Sequence, residues 1–151
     1  MKVAVGFDHR GVHLRETVLQ ALVDEGVDVV DLGVDTDATR VDYPDVARDV
    51  GMAIRSGQAV RGVLVCGSGV GASIAASKIP GIRAAICHDP YSAAQGVEHD
   101  DMNVLCLGSE VIGPSLAYEL VKRFLGAAFV GEGRYLERLE KVEELEKLVD
   151  G

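Results

Sequence analysis

The run Cys66-Gly67-Ser68-Gly69-Val70-Gly71 sets a thiol at the mouth of a loop with three glycines in five residues. Glycines leave backbone N–H groups accessible and permit positive φ. A helix starting just after the loop would turn its positive N-terminal end toward the same spot. Such a loop stabilises an anion, either a phosphate or an oxyanion that forms during reaction. A helix N-terminus also favours a thiolate, which acts as nucleophile or as base. The run superficially resembles a dinucleotide-binding loop, but that loop follows the first strand of its unit, and here the run follows the third. No Gly-Lys-Ser/Thr is present, so it is not a Walker loop. Cys87 and Cys106 lie in apolar runs and read as small core residues.

Other titratable groups gather near predicted strand ends. Asp8 and His9 follow the first strand, and His88, Asp89 and Tyr91 follow the fourth. Glu98, His99, Asp100 and Asp101 come just before the fifth. Acids beside His99 would favour its charged form, which suits a proton carrier near neutral pH. The alternative is a solvated loop histidine. No pair among His9, His88, His99 and Cys66 has zinc-type spacing, so no metal site is expected. Arg134 and Arg138 stand four apart on a predicted helix, which puts two guanidinium groups on one face. They would clamp a phosphate or pair with neighbours such as Glu137 and Glu140.

Positioning these groups needs strands alternating with helices. Apolar runs predict strands over Lys2–Phe7, Val27–Leu32, Gly62–Cys66, Arg83–Cys87 and Val104–Leu107. Helices are expected over Gly11–Glu25, Pro44–Ser56, Ala72–Ser77, Tyr91–Val97 and Pro114–Leu125, with a polar loop over Gly33–Asp42. Continuous apolar strands between helices indicate a parallel sheet covered on both faces. The expected fold is therefore a three-layer α/β/α sandwich with a five-stranded, Rossmann-like parallel sheet. Residues 1–151 read as one domain. In the tail, Leu136, Leu139, Val142, Leu145 and Leu148 form a narrow apolar stripe on an amphipathic helix. It would pack on its own domain or, as residues 131–151, dock on a second subunit.

A chain of 151 residues with 48% hydrophobic and 26% charged residues buries a core without staples. The net charge of −9 argues against nucleic-acid binding and against attachment to anionic membranes. Met1–Asp8 lacks the pattern of a signal peptide. Three cysteines without a CxxC pair predict free thiols in a reducing, cytoplasmic compartment.

These segments together resemble the type B ribose-5-phosphate isomerases, whose family includes galactose- and allose-6-phosphate isomerases. The matching pieces run almost end to end: Gly6-Phe7-Asp8-His9-Arg10-Gly11, Asp42-Tyr43-Pro44, Val65 to Gly71, Gly81-Ile82-Arg83-Ala84, His99 to Leu105, and Gly133-Arg134. The resemblance implies an α/β/α sandwich and a homodimer or tetramer with active sites shared between subunits. It implies no metal and no organic cofactor. Cys66 would move a proton between C1 and C2 of a phosphorylated sugar through a cis-enediolate. Ser68 and the Gly67, Gly69 and Gly71 backbone would stabilise that intermediate. Asp8 would hold sugar hydroxyls, Tyr43 would line the pocket, and His99, beside Asp100, would help open the ring. His9, Arg134 and Arg138 would hold the phosphate. One subfamily takes its base from a glutamate further along this loop, but Ala72–Ile74 offers no acid. Two departures stand out. Asp100 occupies a position that is often Asn, and Glu110 one that is often Arg, where a carboxylate would repel a phosphate. Ribose 5-phosphate is the expected substrate. The alternatives are another sugar phosphate (allose 6-, galactose 6- or a tetrose phosphate) and a sugar-phosphate-binding module without catalysis.

Overall fold

The computed structural model describes residues 1–148. Five strands form one sheet: β1 (Lys2–Phe7), β2 (Asp28–Asp31), β3 (Arg61–Cys66), β4 (Ala84–Ile86) and β5 (Val104–Gly108). Their order is β2-β1-β3-β5-β4, and every pairing is parallel. Six helices connect or follow them: α1 (Arg15–Asp24), α2 (Tyr43–Arg55), α3 (Val70–Ser77), α4 (Pro90–Asp100), α5 (Pro114–Gly126) and α6 (Gly133–Leu145).

Alternation along each strand sorts the core into two halves. Val3, Val5, Phe7, Val63, Val65, Leu105 and Leu107 join one cluster with residues of α1, α4 and α5. Ala4, Leu64, Cys66, Val104 and Cys106 face the other way, into a cluster with α2 and α3. On that second face a Cβ at Gly6 would lie 2.5 Å from Val46, so the missing side chain lets α2 approach the sheet.

The expected elements are present with shifted bounds. The first helix opens with a 3₁₀ turn over Gly11–Leu14, because Asp8 Oδ1 takes the Arg10 and Gly11 amides at 3.0 and 2.8 Å. α3 starts at Val70 and not Ala72, so Gly71 is already helical. β4 is shorter than expected. α4 is longer: Asp89 caps it by accepting the Ser92 amide at 2.7 Å, which holds the Asp89 carboxyl below its ordinary range. The helix then continues to Asp100, so His99 is a helical residue, not a loop residue.

Asp101 ends α4 in the left-handed region at φ 51°, the one non-glycine with positive φ among the described residues. Arg83 secures it, with Nε donating to the Asp101 carbonyl at 2.7 Å and Nη2 to its Oδ2 at 3.0 Å. Asn103 joins by accepting the Arg83 amide at 2.7 Å and donating to the Gly81 carbonyl at 2.9 Å. The Gly81-Ile82-Arg83-Ala84 and Asp101-Met102-Asn103 pieces are thus one network.

At α5 the last carbonyls lack helical partners. Arg61 fills the gap, donating to Phe124 O at 2.7 Å, Leu125 O at 3.4 Å and Ala127 O at 2.8 Å. Burial pulls this guanidinium below its ordinary pKa, so its shell of carbonyls is what makes the desolvated charge tolerable. Arg61→Ala should cost about 2–3 kcal/mol, on the scale of hydrogen bonds to a charged group. A urea titration reads this directly, and an unchanged midpoint would remove Arg61 from the stabilising contacts.

Candidate active site

The site follows from the strand order. β1 hands the chain to β2 on one side, while β3 hands it toward β4 on the other. α1 packs on one face of the sheet and α3 on the opposite face. The loops after β1 and β3 therefore diverge and open a crevice at the carboxyl edge, the place where open parallel sheets bind ligands.

Asp8 and His9 line the β1 side. Asp8 is buried, with Oδ1 committed to the two amides already described. His9 Nδ1 accepts the Val41 amide at 3.3 Å. Cys66 closes β3, its sulfur on the α2/α3 face and almost fully buried. Gly69 donates its N–H to Cys66 Sγ at 3.2 Å, and Val70 donates to Ser68 Oγ at 3.2 Å. The sulfur thus receives a peptide N–H from the first turn of its own loop. Gly69, at φ 84°, makes that reversal possible. A Cβ at Gly71 would lie 2.5 Å from the Tyr43 ring, and one at Gly67 would lie 2.3 Å from the Arg10 guanidinium carbon. Tyr43 and Arg10 therefore cover the two ends of the loop, and glycine is what lets them.

Glu110 has a cation beside it. Arg10 Nε lies 3.7 Å from Glu110 Oε1, with both side chains half-exposed. The carboxylate expected to repel a phosphate thus stands next to a guanidinium that lies over Gly67. Sequence reading quoted Arg10 within its motif and gave it no role. The signal was its place between His9 and a glycine that must pack on the Val65 carbonyl.

The remaining candidates lie elsewhere. α4 leaves the carboxyl edge and returns to the start of β5, and its 11 residues span about 16 Å. His99 and Asp100 therefore sit at the amino edge, away from Cys66 in the same chain. α6 is there too. Tyr135 stacks on His99 with centroids 4.6 Å apart, and Glu146 Oε1 accepts the Gly81 amide at 2.7 Å. Gln95 Nε2 lies 2.9 Å from His99 Nδ1. Arg134 and Arg138 are exposed, and among the described residues neither forms an ion pair with the nearby glutamates. Arg134 instead leans on Tyr135, its guanidinium 5.2 Å from the ring centroid. Leu139 of α6 is buried on its own domain, while Leu136, Val142, Leu145 and Leu148 are exposed. Residues 149–151, the end of the expected segment 131–151, lie outside the described residues. A groove of about 880 Å³ runs between β4, α4 and α6, lined by Ile82, Ile86, Met102, Val142 and Leu145 among others.

No three His, Cys, Asp or Glu side chains converge as a metal-binding group among the described residues. No helix among them is long and apolar enough to cross a membrane. Burial pushes Cys87 up to about 11 and drives Cys106 higher still. At pH 7.5 iodoacetamide should modify Cys66 alone, as read by peptide mapping, with Cys87 and Cys106 reacting only after unfolding. Equal labelling of Cys87 would contradict this.

Comparison with known proteins shows the family. A family model described as Ribose/Galactose Isomerase matches residues 3–142. Ribose-5-phosphate isomerase B of Escherichia coli is 44% identical over 97% of this chain and 97% of its own. D-erythrulose-4-phosphate isomerase of Pectobacterium atrosepticum is 39% identical over 94% and 93%. The structure of Clostridium thermocellum ribose-5-phosphate isomerase B superposes with a TM-score of 0.92 at 43% identity, over 97% of this chain and 98% of that one. The chain belongs to the ribose/galactose isomerase family of sugar-phosphate isomerases.

Proposed function

We propose that this protein interconverts ribose 5-phosphate and ribulose 5-phosphate, with Cys66 as the base, in a homodimer whose two sites each draw on both subunits. One observation carries the shared site: Cys66 with its glycine loop and His99 with Arg134 and Arg138 lie at opposite edges of one sheet. A second copy brings them together, each protomer giving its carboxyl-edge half to one site and its amino-edge half to the other. The apolar groove beside β4 and the exposed stripe of α6 are the surfaces such a pairing would cover.

In this reading the partner subunit's His99 passes a proton that opens the furanose ring, and Asp8 Oδ2 holds a hydroxyl. Cys66 removes the proton from C2 of the aldose. The C2–H electron pair becomes the C1–C2 double bond, and O1 gains the charge, near Ser68 and the loop amides. Cys66 then returns the proton to C1 while the O2 proton passes to O1, leaving the ketose. Base and donors are fixed before reaction, so the intermediate is stabilised without reorganisation. The phosphate, held by His9 and the partner subunit's Arg134 and Arg138, anchors the far end and fixes C1 and C2 beside the sulfur. The chemistry needs no cofactor.

A second substrate is supported by a specific pair of observations. Glu110 stands at the crevice, and a relative 39% identical is named for D-erythrulose 4-phosphate. Parallel assays with ribose 5-phosphate and erythrulose 4-phosphate decide between the two. A kcat/KM of about 10⁴ M⁻¹s⁻¹ or more on ribose 5-phosphate and a far lower value on the tetrose phosphate supports the first reading. The reverse order replaces it.

Two variants test the shared site. Cys66→Ala and His99→Asn should each lose about 10²-fold or more in kcat when made alone. Co-expressed, they form mixed dimers in which one site has lost both groups and the other neither. Half of the dimers are then mixed, and activity should recover to about a quarter of the parent. No recovery, with mixed dimers verified by mass spectrometry, would place both groups in one chain's site or remove one from the reaction.

A further inference from the structure

His88 has no part in the chemistry above, yet it sits in the same row of the sheet as Cys66. The ladder pairs Ile86 with Cys106, and Cys66 with Gly108. Continued by two residues, the first pairing would set His88 opposite Gly108. β4 has already ended, so no backbone carbonyl is in place to receive the Gly108 amide. The His88 side chain takes it instead, with Gly108 N–H donating to Nε2 at 3.0 Å. That bond requires an unprotonated Nε2, and burial holds the imidazole below its ordinary pKa.

Gly108 in turn backs the Cys66 loop. A Cβ there would lie 2.6 Å from the Ser68 carbonyl carbon, so the two backbones are in direct contact. The next two residues bond the loop outright, Ser109 N donating to Cys66 O and Glu110 N to Gly67 O, both at 2.9 Å. Ser109 Oγ donates to the Arg10 carbonyl at 2.8 Å, tying in the β1 side. Gly108 O closes the turn by accepting Val111 N at 3.0 Å and Ile112 N at 3.1 Å. The imidazole thus holds one end of a short, fully bonded bracket whose other end is the backbone of the proposed base and its oxyanion donors.

We propose that His88 is a positioning residue for the isomerisation, its Nε2 fixing the Gly108–Glu110 turn and through it the Cys66–Ser68 loop. The proposal rests on Cys66 as the base for its kinetic readout, and on geometry alone for the rest.

Three variants test it. His88→Ala removes the acceptor, His88→Phe keeps the ring without it, and His88→Gln restores an acceptor near the Nε2 position. Loop misplacement lowers the chemical step more than binding. His88→Ala and His88→Phe should therefore lose about 10-fold in kcat with KM within about twofold of the parent. His88→Gln should recover most of that loss. Two measurements need no substrate: the rate of Cys66 alkylation, and hydrogen exchange at the Gly108 amide by NMR. In the Ala and Phe variants the alkylation rate should change severalfold and the Gly108 amide should lose protection, and both should revert in the Gln variant. If the protein turns over no sugar phosphate, these two still decide the matter, which separates failure of the positioning role from failure of the substrate assignment. Parent-like kcat, alkylation and exchange in His88→Ala would overturn the proposal. So would an equal loss in His88→Gln and His88→Ala, or a loss confined to melting temperature.

Discussion

All five strands point the same way, and this single constraint organises the molecule. Parallel pairing forces every connection to travel the full height of the sheet and return, which puts helices on both faces and strand ends at one edge. The carboxyl edge collects Asp8, His9, Cys66 and the Gly108 turn. The amino edge collects whatever immediately precedes a strand, including His99, Asp100 and the Gly81–Asn103 network. The thiol loop at one edge and His99 at the other are thus a direct result of strand direction.

Much of this was legible in the chain. Strands β1, β3 and β5 are continuous apolar runs buried on both faces, and their bounds were found to within a residue. The glycine loop was legible for a similar reason: three glycines after an apolar strand are hard to explain by packing alone. What failed to read was local and long-range together. The extension of α4 through His99 depends on the Asp101 C-cap, which depends on Arg83, 18 residues earlier. The rule that ligands gather at strand ends was applied to residues 98–101 although they come before a strand, and a helix returning from β4 must deliver them to the far edge. The pairing of Arg10 with Glu110 is a contact across 100 positions that no local pattern records.

Electrostatics at the site are arranged by placement and not by overall composition. The chain carries −9 formal charges, yet Arg10 lies on the glycine loop, and Arg134 and Arg138 stand free of partner carboxylates among the described residues. Several of the acids are occupied elsewhere, Asp31 with Arg15, Asp45 and Asp49 with Arg48, Asp101 with Arg83. An acidic surface and a cation on the glycine loop coexist because fields near a partly enclosed crevice are set by the nearest groups, with distant charges screened over about 8 Å.

The separation of the two clusters also bears on how such a chain can change over time. Each cluster stands on its own loops, the carboxyl-edge one on the turns after β1, β3 and β5, the amino-edge one on the ends of α4 and α6. Substitutions in one leave the backbone of the other in place. If the two clusters meet only across a pair of chains, a duplicated gene could let one copy keep the thiol and the other keep the histidine and arginines. Each copy would then be inert by itself and indispensable to its sibling, and a self-pairing enzyme would have become an obligate two-gene one without a single new contact.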